Sequence, residues 1–509
     1  MSETELKFSV DPVHARTIEQ AMRGLPSSRA TIESRYFDTR QGLLASAAVS
    51  LRLRRTGRIW EQTLKTPGRH AAERGEETVA RPGRWPGDGP TLDLSLHRGT
   101  EAGKMLRSIL ERAGDAPASL ALQSITRIVR RSVLLEGFGA VVEVAFDKGE
   151  IFAGDRSEPV CELEYELKAG DARALVAFGR AAIDDHGAWL STLSKAARGD
   201  RLSKGTAASL SATRWVAPRL ASSMSATQTL QAALHSCFDQ VAGNASEVAA
   251  GRPDAETIHQ LRVGLRRMRT ASRELRGSAS GLDRSFEAVM ERVFRQLGDL
   301  RDRSVVAASM EAALLAAGAP APRLQVPAAA PIDAVAALRG TEFQQALMDV
   351  LEFVLTPIAA HDDAGGRLLA TASSPGDTGS KPVRRQLSLR LAALHGKLAH
   401  DARRFEALPP EAQHTTRKRL KRLRYLAELA ASLYDAPLVR RYLARLKPAQ
   451  EALGARIDLF VALGMARDAA KSGQAMAWFN VGWLTAQLPS NAAQCRKALK
   501  RAASAKPFW

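Results

Sequence analysis

The spacing of apolar residues changes partway along the chain, from a period of two to a helical period. Early segments such as 50–55 and 162–167 alternate polar and apolar residues, which predicts β-strands with one buried face. A stretch rich in Ser, Ala and Thr (206–225) then precedes a half that is rich in Ala, Leu and Arg. We therefore expect an antiparallel α+β domain over 1–205, a linker, and an all-α domain over 226–505.

Charge is distributed as unevenly as periodicity. The 509-residue chain has a formal net charge of +19, of which residues 1–200 contribute +1 and residues 201–509 contribute +18. Such a surplus predicts a polyanionic partner, which could be nucleic acid, an anionic membrane or a phosphate polymer. Aromatic residues make up only 5%, and the basic helical segments lack interleaved stacking residues, which argues against nucleic acid. No apolar run reaches the ~18 residues of a membrane span.

The cysteines and the N-terminal sequence bear on the compartment. Cys161, Cys237 and Cys495 lie far apart and lack metal-ligand spacing, which favours a reducing environment. The first residues are acidic and include no apolar signal core. We therefore expect a cytoplasmic protein.

Three predicted strands carry charged side chains on one face. Alternation places each of three sets on one face of its own strand. The sets are Glu3, Glu5 and Lys7; Arg52 and Arg54; and Glu162, Glu164 and Glu166. A half-solvated surface strand would explain any one of them, but like charges repel unless opposite charge comes from elsewhere. Their co-occurrence favours a shared interior, in which carboxylates could hold Mg²⁺ or Mn²⁺ and cations could hold a bridging anion. A chain of phosphates fits that description best.

An ordered set of motifs resembles the CYTH, or triphosphate tunnel metalloenzyme, superfamily. The first, Glu3-Thr4-Glu5-Leu6-Lys7, is similar to the family's ExExK signature. The others follow in the family's order and include Tyr36-Phe37-Asp38-Thr39, Leu51-Arg52-Leu53-Arg54, Thr63-Leu64-Lys65, Arg74-Gly75-Glu76, Asp147-Lys148-Gly149, Cys161 to Glu166, and Ser194 to Gly199. The resemblance covers about residues 1–205. It implies an eight-stranded antiparallel tunnel that cleaves or rearranges triphosphates with a divalent metal.

The resemblance also implies roles for individual residues. Those implied to bind phosphate are Lys7, Arg52, Arg54, Lys65, Arg130, Lys195 and Arg198. Those implied to hold Mg²⁺ or Mn²⁺, directly or through water, are Glu3, Glu5, Asp147, Glu162 and Glu164. Glu5 and Glu76 are the candidates for the general base of a hydrolase. Arg127 and Arg131 compete with Arg130 for its role, and Thr78 stands where many relatives have a second Glu.

The helical half contains an internal repeat. His259, Arg262, Arg266, Arg267 and Arg269 recur 155 positions later as His414, Arg417, Lys421, Arg422 and Arg424. A second block, Leu297-Gly298 with Asp302, recurs 156 positions later as Leu453-Gly454 with Asp458. Two blocks at nearly one offset predict a duplicated helical bundle.

Each copy of the first block places its cations on one face of a helix. The two stripes are His259, Arg262, Arg266 and Arg269, and His414, Arg417, Lys421 and Arg424. A solvated face would be the simpler interpretation of a mixed-charge helix, but this stripe has a single sign and occurs twice. The histidines could add charge below about pH 6.5 or hydrogen-bond between helices.

These segments resemble the CHAD domain, a duplicated α-helical bundle commonly joined to CYTH, over about 226–505. The resemblance implies that the two stripes bind inorganic polyphosphate in a basic channel, and that the protein associates with polyphosphate granules. The predicted function is metal-dependent hydrolysis of inorganic triphosphate or a related triphosphate, combined with polyphosphate binding. The alternatives are an adenylate cyclase, a thiamine triphosphatase, a non-catalytic granule protein or a nucleic-acid binder.

Overall fold

The computed structural model describes residues 2–68, 73–83, 85, 89–112, 120–205, 212–275, 282–324, 333–357 and 383–509, without the side chains of 2, 3, 73, 74 and 299–304. The chain divides into two compact units. The first consists of Met1–Arg214, Phe238–Leu261 and Val335–Thr356, and the second of Trp215–Cys237, Arg262–Ala334 and Pro357–Trp509.

An antiparallel sheet dominates the first unit. Its strands in the described part of the chain are β1 (Ser2–Ser9), β2 (Ser27–Asp38), β3 (Ser50–Thr56), β4 (Ile59–Pro67), β5 (Glu73–Arg81), β6 (Ala121–Gly137), β7 (Ala140–Ala153), β8 (Arg156–Gly170) and β9 (Trp189–Leu190). Their order is β5-β4-β3-β2-β6-β7-β8-β1-β9. β1 also pairs with β5 from Ser2 to Thr4. β1 therefore has β8 as one neighbour and β5, the first strand of this order, as another.

The sheet has apolar side chains on its outer face and charged ones inside. On β8, Leu163 and Tyr165 are buried on the outer face, where the Tyr165 ring lies edge-on to Phe8 at 5.8 Å. Helix α4 (Arg173–His186) covers this face. A Cβ at Gly179 of α4 would lie 2.6 Å from the Phe8 ring, so only glycine allows the helix this close.

The first unit also contains α1 (Ala15–Arg23), α2 (Leu43–Ser46), α3 (Glu101–Arg112), α5 (Lys195–Lys204), α10 (Ala334–Arg339, from Val335 onward) and α11 (Thr341–Leu355). Leu44 of α2 and Leu106 and Leu110 of α3 bury Leu51 and Leu64 from a second part of the outer face. Apolar residues therefore line the outside of the sheet, and the alternate residues are left to form its interior.

Helices α6 (Ala226–Ala249) and α7 (Ala255–Glu274) each contribute residues to both units. The helices of the second unit are α8 (Ser285–Gln296), α9 (Asp299–Ala316), α12 (Val383–Arg403), α13 (Pro410–Leu429), α14 (Ala436–Lys471) and α15 (Ala477–Ala503). One core cluster of this unit packs α9, α14 and α15 together through residues such as Leu314, Leu463 and Leu484.

Within the second unit, the repeated helices α7 and α13 exchange ion pairs. Arg267 of α7 donates to Glu428 of α13 at 2.5 Å, and Arg422 of α13 donates to Glu274 of α7. Arg267 and Arg422 occupy equivalent positions of the repeat. The two pairs are therefore related by an approximate two-fold exchange, as expected for a duplicated element.

The predicted α+β class, with an N-terminal antiparallel sheet and a C-terminal helical region, is confirmed. The described sheet has nine strands where eight were expected, because the two-residue strand β9 adds to β1 beyond the main series. No helix in the described part of the chain combines the length and the apolar character that a membrane span requires.

Candidate active site

The interior of the sheet contains a cavity of about 130 Å³, here called the central cavity. Alternation along β1, β3, β6, β7 and β8 directs one polar side chain after another into it. Its charged lining residues are Glu5, Lys7, Arg52, Arg54, Lys65, Glu76, Arg130, Asp147, Glu164, Glu166 and Lys195. Cations and carboxylates thus meet in a confined space that an isolated strand could not create.

One side of the central cavity is an acidic cluster around a single ammonium group. Lys195 Nζ lies 2.7 Å from Asp147 Oδ2, 2.8 Å from Glu162 Oε2 and 2.8 Å from Glu164 Oε1. Arg130 adds two hydrogen bonds to Asp147, of 2.6 and 2.7 Å, and one to Glu164. Asp147 and Glu162 are almost completely buried, so their charges depend on these cations for stabilisation.

Segment 191–198, which leads from β9 into α5, brings Lys195 and Arg198 to this cluster. Ser194 caps α5 by accepting a hydrogen bond from the Ala197 amide. Arg198, one turn into the helix, donates to Glu162 Oε1 at 2.5 Å. Lys7 of β1 donates to the carbonyl oxygen of Leu193. Arg198 therefore contacts the acidic cluster through Glu162 and does not line the central cavity.

The electrostatics of the cluster keep its carboxylates ionised. Burial alone would raise the pKa of Glu162, but Lys195, Lys7 and Arg198 outweigh it and lower that pKa to about 2. Burial also opposes ionisation of Glu164, yet Lys195 and Arg130 lower its pKa well below the usual range. In turn, the surrounding carboxylates raise the pKa of Lys195 well above its usual value despite burial.

The other side of the cavity is basic. Arg52 Nη2 donates to Glu76 Oε1 at 3.2 Å, and Lys65 forms an ion pair with the other oxygen of Glu76. Burial would raise the pKa of Tyr36, but Arg52, Arg54 and Lys195 together lower it. The potential around Tyr36 is therefore strongly positive.

Arg54 is the most exceptional of these cations. Burial, followed by repulsion from Arg52, lowers the pKa of Arg54 to about 10. Within the described ranges, its Nε atom is buried and has no hydrogen-bond partner. A half-buried cation with a desolvated Nε, placed beside another cation, is destabilised unless an anion is close, so this position favours a negatively charged ligand.

The three candidate arginines on β6 lie in different places. Arg130 faces the cavity, where β7 places Asp147 opposite it. Arg127 is 62% exposed and lies over the Phe152 ring on the outer face. Arg131 donates to Ser27 instead. The side chain of Glu3 lies outside the described residues, and Glu5, Lys7, Lys65 and Glu76 all line the cavity.

The acidic cluster fits a divalent metal. Asp147, Glu162 and Glu164 each offer one carboxylate oxygen, and the three oxygens lie within 4.8 Å of one another. Carboxylate oxygens are the ligands preferred by Mg²⁺ and Mn²⁺. The low pKa values of Glu162 and Glu164 leave both groups deprotonated at neutral pH. A metal at this position would compete with the ammonium group of Lys195.

Several residues of the predicted cationic stripes on α7 and α13 contact acids or aromatic rings of the protein itself. Arg269 pairs with Glu291 at 2.8 Å, and Arg424 pairs with Glu428 at 2.7 Å. Arg262 is buried, and its guanidinium lies 5.0 Å from the Phe294 ring. Neighbouring acids and rings therefore engage part of each stripe, which the spacing of cations alone did not reveal.

The remaining stripe residues have varied surroundings. The Arg266 guanidinium lies 5.1 Å from the Phe294 ring, and Arg266 donates to Tyr425 Oη at 3.4 Å. Burial and the neighbouring charges of Lys418, Arg417 and Lys421 lower the pKa of His414, so the imidazole is neutral at pH 7. His259 is exposed on α7. The polyphosphate-binding roles of these residues stay predictions.

Sequence reasoning missed residues that support the site from outside the cavity. Glu158 accepts from Arg198 Nε at 2.7 Å and from Arg252 Nη2 at 2.6 Å. Tyr36 belongs to one of the motifs but has no predicted role, and it lines the cavity opposite Arg52 on the neighbouring strand. The alternation of β2 could have identified Tyr36, whereas no local pattern marks Arg252.

Comparisons with known proteins agree with this architecture. Residues 1–199 match the CYTH domain family, and residues 232–467 match the CHAD domain family. An inorganic triphosphatase from Haemophilus influenzae is 27% identical over 203 residues, or 39% of this chain and 54% of that protein. The chain thus spans about half the length of this curated relative.

Two solved structures are also similar. The CHAD domain from the plant Ricinus communis is 25% identical, covers 57% of this chain and 97% of its own, and has a TM-score of 0.44. A Hippeastrum protein described as having a dominant triphosphatase activity is 18% identical, covers 39% and 97%, and has a TM-score of 0.28. On the family matches, the chain belongs to the proteins that join an N-terminal CYTH domain to a C-terminal CHAD domain.

Proposed function

We propose that the central cavity binds inorganic triphosphate and catalyses its metal-dependent hydrolysis. The observation that carries this proposal is Arg54, a half-buried cation beside Arg52 whose buried Nε lacks a hydrogen-bond partner in the described part of the chain. A ligand with several negative charges would relieve this repulsion and satisfy the guanidinium. The triphosphatase activity of the Haemophilus influenzae relative gives further support.

The two sides of the cavity divide the work. Arg52, Arg54 and Lys65 would bind phosphate oxygens and neutralise the charge that develops on the leaving group. Asp147, Glu162 and Glu164 would hold a divalent cation, which supplies charge neutralisation and polarises a phosphate oxygen or water when it is bound. Both sets converge on one cavity, so the ligand would be fixed before the reaction.

Hydrolysis needs a group that orients the attacking water. Glu5 and Glu76 both line the cavity. Glu76 accepts from Arg52 and Lys65, so it lies beside the side chains that would bind phosphate. Either carboxylate would hold the water and accept its proton as the terminal P–O bond breaks.

The helical half would bind inorganic polyphosphate. Residues 201–509 carry a net charge of +18, and a repeating phosphate chain needs charge more than shape for recognition. Competition between polyphosphate and duplex DNA for the full-length protein, at 0.15 M salt, tests this part of the proposal. If DNA displaced bound polyphosphate more readily than polyphosphate displaced bound DNA, the nucleic-acid alternative would be favoured.

A second cavity supports organic triphosphates as the alternative substrates. It has a volume of about 460 Å³ and shares Tyr36, Ser50, Lys65 and Ser194 with the central cavity. Apolar side chains such as Phe37, Val49 and Leu193 line it. A nucleoside or thiamine group could occupy this space while its triphosphate reached Lys65.

One panel of substrates tests the proposal. Phosphate release would be measured from inorganic triphosphate, ATP, thiamine triphosphate and long-chain polyphosphate, each with Mg²⁺ and with Mn²⁺. We expect inorganic triphosphate to give the highest kcat/KM and chelation by EDTA to abolish turnover. A preference for ATP or thiamine triphosphate would favour the organic alternative, and no release from any substrate would contradict the proposal.

A further inference from the structure

Arg198 is held on two sides by carboxylates with different surroundings. Its Nη1 donates to Glu162 Oε1 at 2.5 Å, inside the acidic cluster. Its Nε donates to Glu158 Oε1 at 2.7 Å, and its Nη2 to the carbonyl oxygen of Pro159 at 2.5 Å. The orientation of Arg198 toward Glu162 therefore depends on where Glu158 holds the other edge of the guanidinium.

Glu158 is shared with a second arginine from far along the chain. Arg252, in the connection between α6 and α7, donates to Glu158 Oε2 at 2.6 Å. Each oxygen of Glu158 thus has its own arginine. Glu158 lies in the CYTH-matched segment and Arg252 in the CHAD-matched segment, yet both belong to the first compact unit.

We propose that Arg252 is a positioning residue for the central cavity and acts through Glu158 and Arg198 on Glu162. This inference rests on the proposed function of the cavity. By occupying Glu158 Oε2, Arg252 prevents the Glu158 carboxylate from turning to bind Arg198 through both oxygens. Arg198 consequently keeps Nη1 on Glu162, and Glu162 keeps its place beside Lys195.

The stretch around Lys195, from Leu190 to Arg201, makes further contacts with residues of the CHAD-matched region. Arg201 of α5 forms a two-oxygen ion pair with Glu247 of α6. The Thr192 amide donates to Ser246 Oγ at 3.0 Å, and the Leu190 amide donates to Gln344 Oε1 at 2.8 Å. These contacts fix the backbone on both sides of Lys195, so Arg252 has only to set one side chain on a rigid support.

The test compares Arg252→Met with Arg252→Lys in the full-length protein, using tripolyphosphate hydrolysis with Mg²⁺. We expect Arg252→Met to raise KM about three- to tenfold with kcat within about twofold, because a displaced Glu162 weakens the ground and transition states alike. Arg252→Lys retains the charge and should restore most of the affinity. Arg173→Met is the matched control, because Arg173 pairs with Asp171 at an exposed site.

A double-mutant cycle decides whether the effect passes through Arg198. In an Arg198→Met background, Arg252→Met should change KM by less than about twofold, since the intermediate side chain is gone. An unchanged KM in the single variant, or a full additional effect in the Arg198→Met background, would overturn the proposal.

Amide hydrogen exchange separates this inference from the proposed function. Without any ligand, Arg252→Met should accelerate exchange in residues 195–204 relative to Arg173→Met. If the wild-type protein hydrolysed no triphosphate, the proposed function would fail, and exchange in this helix would still decide the role of Arg252. Equal exchange in the two variants would contradict it.

Discussion

In the sheet of the first unit, cations and carboxylates from different strands point into one cavity. In the second unit, several basic residues of α7 and α13 pair with acids of the helical region, as Arg267 does with Glu428 and Arg269 with Glu291. Among the described residues, buried Nε atoms without a hydrogen-bond partner occur in both regions, on Arg52 and Arg54 of the sheet and on Arg267 of α7. The difference is that Arg267 and its repeat equivalent Arg422 also bind carboxylates, Glu428 and Glu274, which neutralise their charge.

This difference shows that a row of like charges has two physical meanings. On strands around a cavity, the backbone fixes the direction of every second side chain, so the charges cannot avoid one another and favour a ligand. On helices, long side chains can turn toward neighbouring acids. Charge density alone therefore identifies a ligand site more reliably in the sheet than in the helices.

The largest effect should come from Lys195→Met. Three carboxylate oxygens surround the Lys195 ammonium at 2.7 to 2.8 Å, and removing it leaves buried charges unpaired. We expect a loss of about 3–5 kcal/mol in unfolding free energy and of about 100-fold or more in kcat/KM. Lys104→Met, which removes an exposed pair with Glu101, is the control and should change neither quantity measurably.

The ionised state of Glu162 should make stability depend on acid pH. Its pKa falls from 4.5 to about 2 on folding, so its stabilising contribution is present above pH 4.5 and is lost as the pH falls toward 2. Between pH 5 and pH 3, urea denaturation should show the wild type losing about 2 kcal/mol more than Glu162→Gln. Parallel pH profiles for the two proteins would show that Glu162 is not held ionised.

Arg54→Met should separate binding from stability. Loss of one charge-assisted contact lowers kcat/KM for tripolyphosphate by about ten- to a hundredfold. The ligand-free protein should keep its Tm or gain slightly, because the repulsion between Arg54 and Arg52 disappears. Arg55→Met is the adjacent control, since the Arg55 side chain is 46% exposed and points to the other face. A large drop in Tm for Arg54→Met would mean that Arg54 is a structural cation.

The smallest effect is expected in the helices. Arg424 and Arg267 bind different oxygens of Glu428, but the Arg424 side chain is 36% exposed and that of Arg267 only 13%. Arg424→Met should lower the unfolding free energy by less than about 1 kcal/mol, whereas Arg267→Met also loses its contacts with the Trp215 and Tyr425 rings. Denaturant titration of both variants tests this order, and equal losses would contradict it.

Local alternation allowed much of the sheet to be predicted. Glu162, Glu164 and Glu166 alternate with buried Leu163 and Tyr165, so period two identifies both the strand and its charged face. On β6 the same reasoning failed to choose an arginine, because Arg127, Arg130 and Arg131 occupy both faces. Asp147 on the neighbouring strand β7 makes the difference, and strand register is not visible in a single segment.

Side-chain contacts between distant parts of the chain could not be predicted from the sequence. Arg252 and Glu158 are 94 positions apart, and neither belongs to a repeated or alternating pattern. Likewise, the spacing of Arg269 and Arg424 predicted one cationic face, but the acids that neutralise them come partly from other turns and helices. Only packing shows which cations remain available to a ligand.

The most direct test of the account is a crystal structure of the full-length protein with tripolyphosphate. We predict phosphate oxygens within hydrogen-bonding distance of Arg54 Nε and of Arg52, inside the central cavity. Tripolyphosphate bound only outside the sheet, with no phosphate oxygen near Arg54, would contradict the claim that these charges exist to hold linked phosphates.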